Sequence, residues 1–283
     1  MTVIAGIVIV LGAVIGGYLM ENGNLAVLFQ PAELMIIFGA AFGSLVISAP
    51  QKDLVMILKS SGKLFSGGGM GKKGYLELLT LLFKIFSKIR KEGLISIEAD
   101  IEEPEKSSLF GQYKTVVSNH HALTFLCDNL KVIVSSNVPA HELDSLMDLE
   151  IETHHHESLG PSHNVARVAD SLPGLGIVAA VLGVVLTMGK ISEPPEVLGH
   201  SIGAALVGTF LGVLMCYGFV GPIAANLEQK ATSDSVVFQV IKTAIVSFVG
   251  GAAPQMAVEF GRRAIPSAER PTFNELEETI RKK

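Results

Sequence analysis

Tryptophan is absent from this chain, and cysteine occurs only twice, at Cys127 and Cys216. Without Trp, anchoring at a membrane–water boundary would fall to the few Tyr and Phe. Cys127 lies in a polar region and Cys216 in a long apolar run, so neither a disulfide nor a thiolate metal site is expected. Charge is scarce as well. Of 283 residues 49% are hydrophobic and 17% charged, with a net charge of −5. That balance excludes nucleic acid as a partner, because phosphate binding needs concentrated Lys and Arg. It is too apolar for an ordinary soluble domain and too charged for a chain lying wholly in a bilayer.

Catalytic signatures are missing too. There is no nucleophile elbow, Walker loop or paired-carboxylate motif. Ser66-Gly67-Gly68-Gly69 is a flexible break too short and wrongly followed to cradle phosphate. His154-His155-His156-Glu157, with His163 beyond, has neither a helical His-x-x-x-His with a Glu base nor a Cys partner, so a solvated face is the simpler reading than a zinc site. No enzyme, cofactor or metal is expected.

What is present is a set of long uncharged runs. Residues 172–189 carry no charged side chain, and after the polar break at 190–196 a second run extends from Val197 almost to Glu228. Each can cross a hydrocarbon core, which needs about 20 apolar residues. Small residues recur at four-residue spacing: Gly176, Ala180 and Val184, with Ala179 and Gly183 beside them, then Ala204, Gly208 and Gly212. That spacing lets helix backbones approach closely in lipid. Residues 3–20 form an earlier run without the basic start or cleavage site of a signal peptide, hence a retained first span. After the turn Glu21-Asn22-Gly23-Asn24, residues 25–49 form the second, interrupted by Gln30-Pro31-Ala32-Glu33.

Lys52, Lys59, Lys63, Lys72 and Lys73 follow the second span, whereas the two short connections hold only Lys190. The positive-inside rule then puts both termini and the long polar region in the cytoplasm. The expected fold is an all-α integral membrane protein with four transmembrane helices and a helical cytoplasmic domain between spans 2 and 3. Residues 1–50 form the first hairpin, 51–167 the cytoplasmic domain, 168–226 the second hairpin, and 227–283 cytoplasmic C-terminal helices and tail.

Within the polar region, Tyr75, Leu78, Leu79, Leu82, Phe86 and Ile89 recur at helical spacing, with Lys84, Lys88 and Lys91 opposite, Arg90 on the flank and Gly93 suited to the C-terminal cap. Ser96 can cap a following turn that holds Glu98 and Asp100. Two further helices are expected near 118–137 and 140–158. Residues 238–260 are apolar, but Lys242, Gly250-Gly251 and Pro254 favour a cytoplasmic helix over a fifth span.

No ionisable residue stands in the middle of any expected span; Glu33 and His200 fall at span ends, where water can reach them. An ion carrier needs such a group at depth. Either this chain transports nothing, or another subunit donates the carboxylate. Pro173 at the start of the third span and Pro222 at the end of the fourth read most simply as a helix-start proline and a helix-end kink, or else as hinges. Thr209 either bonds the preceding turn or lines a polar route. Arg90 and Glu98 read as ordinary surface charges.

Several of these stretches resemble one family. Gln30-Pro31-Ala32-Glu33-Leu34 leading into Gly39-Ala40-Ala41-Phe42-Gly43-Ser44, Asp170-Ser171-Leu172-Pro173 with Gly176-Ile177-Val178-Ala179-Ala180, and Val207-Gly208-Thr209-Phe210-Leu211-Gly212 through Tyr217-Gly218 to Pro222 are similar to the MotA family, the A subunits of flagellar stators. Ala257-Val258-Glu259-Phe260-Gly261-Arg262 and Glu269-Arg270-Pro271 extend the likeness over nearly the whole chain. The resemblance implies a pentamer in the bacterial inner membrane, at the flagellar basal body, around a dimer of MotB, whose aspartate carries the ion. It implies that Pro173 and Pro222 couple ion flow to movement and that Arg90 and Glu98 engage the rotor protein FliG. Sodium-driven relatives carry threonine where Ala180 stands, beside the position of Thr209. A methyl cannot coordinate a hard cation, so protons are the expected ion. The alternatives are a sodium-driven stator, an ExbB/TolQ-like energiser of outer-membrane machinery, which usually lacks the first hairpin, a membrane scaffold, and a metal-dependent membrane enzyme.

Overall fold

The computed structural model describes residues 2–63, 69–136 and 138–281, and every regular element among them is helical. Ser66, Gly67 and Gly68 of the expected flexible break lie outside the described residues. Four helical stretches among the described residues are long and apolar enough to cross a membrane: Thr2–Met20, Leu25–Ser48, Ala140–Met188 and Pro195–Val249, the last two extending well beyond a single crossing. The chain divides into two compact units, one of Met1–Gly67 with Ser158–Gln229, the other of Gly68–Glu157 with Lys230–Lys283.

In the first unit, α1 (Thr2–Met20) stops where Asn22 turns to a φ of 58° and Gly23 N–H bonds Tyr18 O at 2.9 Å. Asn24 caps α2 (Leu25–Leu28), its side chain accepting from Ala26 N–H at 2.9 Å. Phe29 and Gln30 are extended, and Pro31 opens α3 (Pro31–Ser48) at the one helical position where a missing N–H is harmless. The interruption read at Gln30-Pro31 is therefore a break between two helices. After α4 (Gln51–Lys63), the unit resumes within α9 (Ala140–Met188), where Asn164 donates to Asp53 Oδ2 at 3.2 Å.

Pro173 does not start a helix: α9 runs unbroken through both Pro161 and Pro173. The same face stays buried across it, with Ala169, Leu172 and Ala179 all covered, and that burial carries the helix past a residue that ordinarily costs it about 3 kcal/mol. The unit's core is small, built from Ile37, Ala41, Ala169, Leu172, Ala179 and Cys216. Next, α10 (Pro195–Leu214) widens into a π-helical turn, Met215–Val220, before α11 (Gly221–Val249). Pro222 sits at the second position of α11, and the π turn ahead of it is where the backbone absorbs the missing donor. Against this turn packs α1, at Gly218, where a Cβ would lie 3.2 Å from Val10 Cγ1.

The second unit is built on α5 (Gly71–Glu92). The predicted stripe is buried, but so are Thr80, Leu81 and Ile85, so α5 is a central helix rather than one with a single wet face. Gly93 ends it with a φ of 86° and an N–H bond to Ile89 O at 2.9 Å. A 3₁₀ turn, Leu94–Ile97, leads into α6 (Glu98–Glu102). Ser96 does not cap α6; its hydroxyl donates back to Gly93 O at 2.7 Å, and the cap position falls to Ile97. After α7 (Lys114–Val117), Asn119 caps α8 (His120–Ser135) by accepting from Ala122 N–H.

The apolar residues after 236 belong to this core. Val237, Phe238, Val240, Ile241, Ala244 and Ile245 of α11 are buried with α5 and α8, Phe86 stacks on Phe248 at 4.4 Å, and the chain turns at Gly251 into α12 (Pro254–Ala264). Lys242, held by Asp144 at 2.8 Å and Asp148 at 2.6 Å, fastens α11 to the acidic start of α9. Arg262 forks onto Glu259 through two 2.7 Å bonds and donates to Pro271 O at 2.9 Å, while Arg270 donates to Ile265 O at 2.8 Å. These bonds tie the two tail motifs together. Thr272 and Glu275 then form a capping box for α13 (Phe273–Arg281).

Candidate functional site

In the first unit α9 and α10 meet backbone to backbone. A Cβ on Gly176 would lie 2.7 Å from Gly208 O, one on Gly212 would lie 2.5 Å from Leu172 O, and one on Gly183 would lie 2.7 Å from Ala205 Cβ. Only residues with little or no side chain can stand at those crossings, which is the reason for the small-residue spacing. The register differs from expectation at two points. Ala205 is the buried contact, and Ala204 is half-buried. Val184, placed on the same edge by spacing, is exposed at 42%.

Two of the predicted site residues share a level in this groove. Ala180 is 8% exposed, and its backbone nitrogen would lie 3.2 Å from a Cβ on Gly208, the residue before Thr209. Thr209 itself is half-buried. Thr187, near the end of α9, bonds its preceding turn, the hydroxyl donating to Gly183 O at 2.8 Å. Pro173 is half-buried beside Leu172, whose carbonyl faces Gly212. Having no N–H, Pro173 leaves Ala169 O without its usual helical donor. Pro222 is exposed. In the second unit, Arg90 in the last turn of α5 and Glu98 at the first residue of α6 are both exposed, on either side of the Gly93 turn.

The residue that reading by sequence missed is Glu33. It was placed at a span end open to water, yet it is 8% exposed, and its Oε2 is buried with no hydrogen-bond partner among the described residues. The carboxyl lies in the groove: Oε2 is 2.6 Å from where a Cβ on Gly208 would be, and Oε1 is 3.4 Å from the corresponding point on Gly183. The cause is the break at Gln30. It lets α3 begin at Pro31 and pack on α10, turning its first helical turn inward. The signal available in the sequence was a carboxylate two residues after a helix-opening proline, inside an otherwise apolar run.

Small residues closing around one buried acid, on helices able to cross a membrane, define a membrane-protein subunit with a single carboxyl in its helix groove. Comparison with known proteins agrees. Residues 4–93 match the sequence model for the N-terminal region of motility protein A, and residues 118–239 match that for the MotA/TolQ/ExbB proton channel family. The chain is 44% identical to motility protein A of Escherichia coli over 281 residues, covering 99% of this chain and 95% of that one. It is 42% identical to motility protein A of Salmonella typhimurium, with the same coverage, and 34% identical to the chemotaxis protein LafT of Vibrio parahaemolyticus, covering 97% and 96%. The solved C. jejuni MotAB structure superposes with a TM-score of 0.79 at 19% identity, covering 96% of this chain and 98% of that one. The Bacillus subtilis flagellar MotAB stator complex gives 0.75 at 23%, covering 94% and 96%. The chain belongs to the motility protein A family, the flagellar stator branch of the MotA/TolQ/ExbB proton channel proteins.

Proposed function

We propose that this chain works as the A subunit of a proton-driven flagellar stator in the bacterial inner membrane, with both termini in the cytoplasm. Five copies surround two copies of a MotB-type single-span partner, whose membrane aspartate brings the travelling proton. The observation that carries this reading is the groove of Gly176, Ala179, Ala180, Gly183, Gly208 and Gly212, which offers close backbone approach and a methyl at Ala180 where a sodium path would need oxygen. The match of residues 4–93 covers the first hairpin and supports the stator branch over an ExbB/TolQ-like energiser.

Assembly has a physical motive. α1 has no buried residue, and Ile177, Val181 and Val185 on α9, with Leu206 and Tyr217 after it, leave apolar faces exposed that neighbouring subunits and lipid would cover. Neutralising the partner's carboxylate lets it pass an apolar wall, and re-ionising it demands polar surroundings. A helix with Pro173 in its interior and a π turn before Pro222 are the places where that change of charge can move backbone. Arg90 and Glu98 then work as complementary steering contacts to FliG. Native mass spectrometry of the membrane complex tests the assembly. Five copies of this chain with two single-span subunits is the expected composition; recovery of this chain alone, from membranes in which the partner is present, contradicts it.

A further inference from the structure

The turn between α5 and α6 leaves two large aliphatic side chains in water. Leu94 is 38% exposed and Ile95 77%, whereas every other large apolar residue from Tyr75 to Ile101 is buried or half-buried. The turn needs Gly93 for its positive φ, and polar residues would serve after it, so the local backbone does not ask for Leu and Ile. One exposed aliphatic side chain is ordinary. This pair, however, stands on a braced support. Ile97 is buried in the unit's core, Ser96 bonds back to Gly93 O at 2.7 Å, and Lys88 of α5 meets Asp100 of α6 at 2.7 Å. Asp100 also accepts from the Ser107 hydroxyl at 2.6 Å. A turn held in this way loses little freedom when a partner binds it. Charges of both signs border the pair: Arg90, Lys91 and Glu92 before it and Glu98 after it, all exposed. That balance offers little attraction to an anionic lipid surface and suits a protein surface that also carries both signs.

We infer that Leu94 and Ile95 are the apolar anchor of the rotor contact, with Ile95 filling a pocket on the rotor protein and Arg90 and Glu98 forming the rim around it. This rests on the proposed rotor role of Arg90 and Glu98 and deepens it, because those two charges flank the pair in the chain. An apolar centre inside a charged rim is the layout in which a few side chains carry most of the binding. The two parts do different work. The exposed charges steer the approach and set its register, and salt screens them. Burial of the aliphatic pair holds the contact once made, so it acts on the dissociation rate and is not screened. The matching rotor surface is an apolar pocket bordered by an acidic group opposite Arg90 and a basic group opposite Glu98.

The test uses the whole complex, this chain with its partner in lipid nanodiscs, and purified FliG. Binding is measured at low and at high salt. In swimming cells, p-benzoylphenylalanine is placed at position 95, 90 or 98 and activated by light. Ile95→Ser should raise the Kd at least about tenfold, the loss expected of an interface anchor, and its ratio to the parent should persist at high salt. Ile95→Met, which keeps volume and apolar character, should bind more tightly than the Ser variant. Arg90→Glu should instead lose less relative to the parent as salt rises. Light should join position 95 to FliG. An unchanged Kd for Ile95→Ser overturns the inference, and so does a position-95 adduct to lipid or to a second copy of this chain in place of FliG. In either case FliG adducts at positions 90 and 98 leave the rotor reading intact. A parent complex that binds no FliG and forms no adduct with it at any of the three positions overturns the rotor reading, and this inference with it. If the Ser variant is not recovered, Ile95→Ala takes its place, with the same expected loss and the same overturning result.

Discussion

Glu33 and Gly208 fit together because one of them has no side chain. A Cβ at Gly208 would stand 2.6 Å from Glu33 Oε2 and 3.1 Å from Ala179 Cβ, so the acid occupies the space that any other residue at 208 would fill. Gly208→Ala should therefore expel the carboxyl or push α10 from α9, at about 1–3 kcal/mol for overpacking. The expected outcome is a chain that still reaches the membrane, with swimming abolished, read by motility and immunoblot in a stator-deleted cell. Gly203→Ala, at a glycine with open space around it, is the control and should swim normally.

Ala180→Thr adds one hydroxyl at the level of Gly208 and Thr209. Ala180 is nearly buried, so the larger side chain is accommodated only by a small shift, and swimming should be slowed rather than lost. It should also remain independent of sodium, because one added oxygen does not complete the shell of a hard cation and the partner subunit shapes the rest. Swimming speed across sodium concentrations checks this.

Pro173→Ala returns an N–H to Ala169 O in a helix that is already continuous. The substitution should strengthen α9, by up to about 3 kcal/mol, while impairing torque. Unchanged or higher membrane abundance with slow or absent swimming is the expected pair of readings, and normal swimming would make Pro173 a passive passenger in the helix.

Much of this molecule was legible in its sequence. The four apolar stretches, the α5 stripe from Tyr75 to Ile89 and the Gly93 cap are local signals, set by periodicity and by one residue's backbone freedom. Residues 238–260 were ambiguous because a buried core helix and a membrane helix share composition; the length between Lys242 and Glu259 favoured the former. What could not be read was tertiary. The joining of Val237, Phe238 and Ile241 to α5 depends on contacts far apart in sequence. The Ser96 hydroxyl could accept from an N–H of the next turn or donate to a carbonyl behind it, and in the 3₁₀ turn it donates to Gly93 O. Glu33 was misplaced because distance from the end of an apolar run measures depth along a helix and says nothing about which way the first turn faces.

Arg90 and Glu98 are exposed, so the rotor contact proposed for them can be tested apart from the fold. Arg90→Glu and Glu98→Lys should each leave abundance unchanged and weaken swimming. Exposed contacts are worth about 0.2–1 kcal/mol each, so the double reversal should be more severe than either alone, and an opposite reversal on the rotor should recover function. Torque measured on tethered cells checks the series.

Glu259 gives the second unit an acid-sensitive fastening. The hydrogen bonds from Arg262, helped by Arg263, hold its carboxyl below the ordinary glutamate range, despite burial acting in the opposite direction. A folded pKa below the unfolded one means this stabilisation is complete above about pH 4.3, the ordinary value, and is lost as the pH falls through the depressed folded value. Glu259→Gln should cost roughly 1–3 kcal/mol at neutral pH and flatten the loss of stability on acidification. Thermal unfolding of the detergent-solubilised chain across this pH range is the check.

The most direct measurement is swimming of a stator-deleted cell that carries this chain and its partner, in media with abundant sodium or with none, and with a proton uncoupler in a parallel arm. A proton-driven stator with a methyl at Ala180 predicts swimming that ignores sodium and collapses with the uncoupler. Swimming that follows sodium and survives the uncoupler would contradict the account.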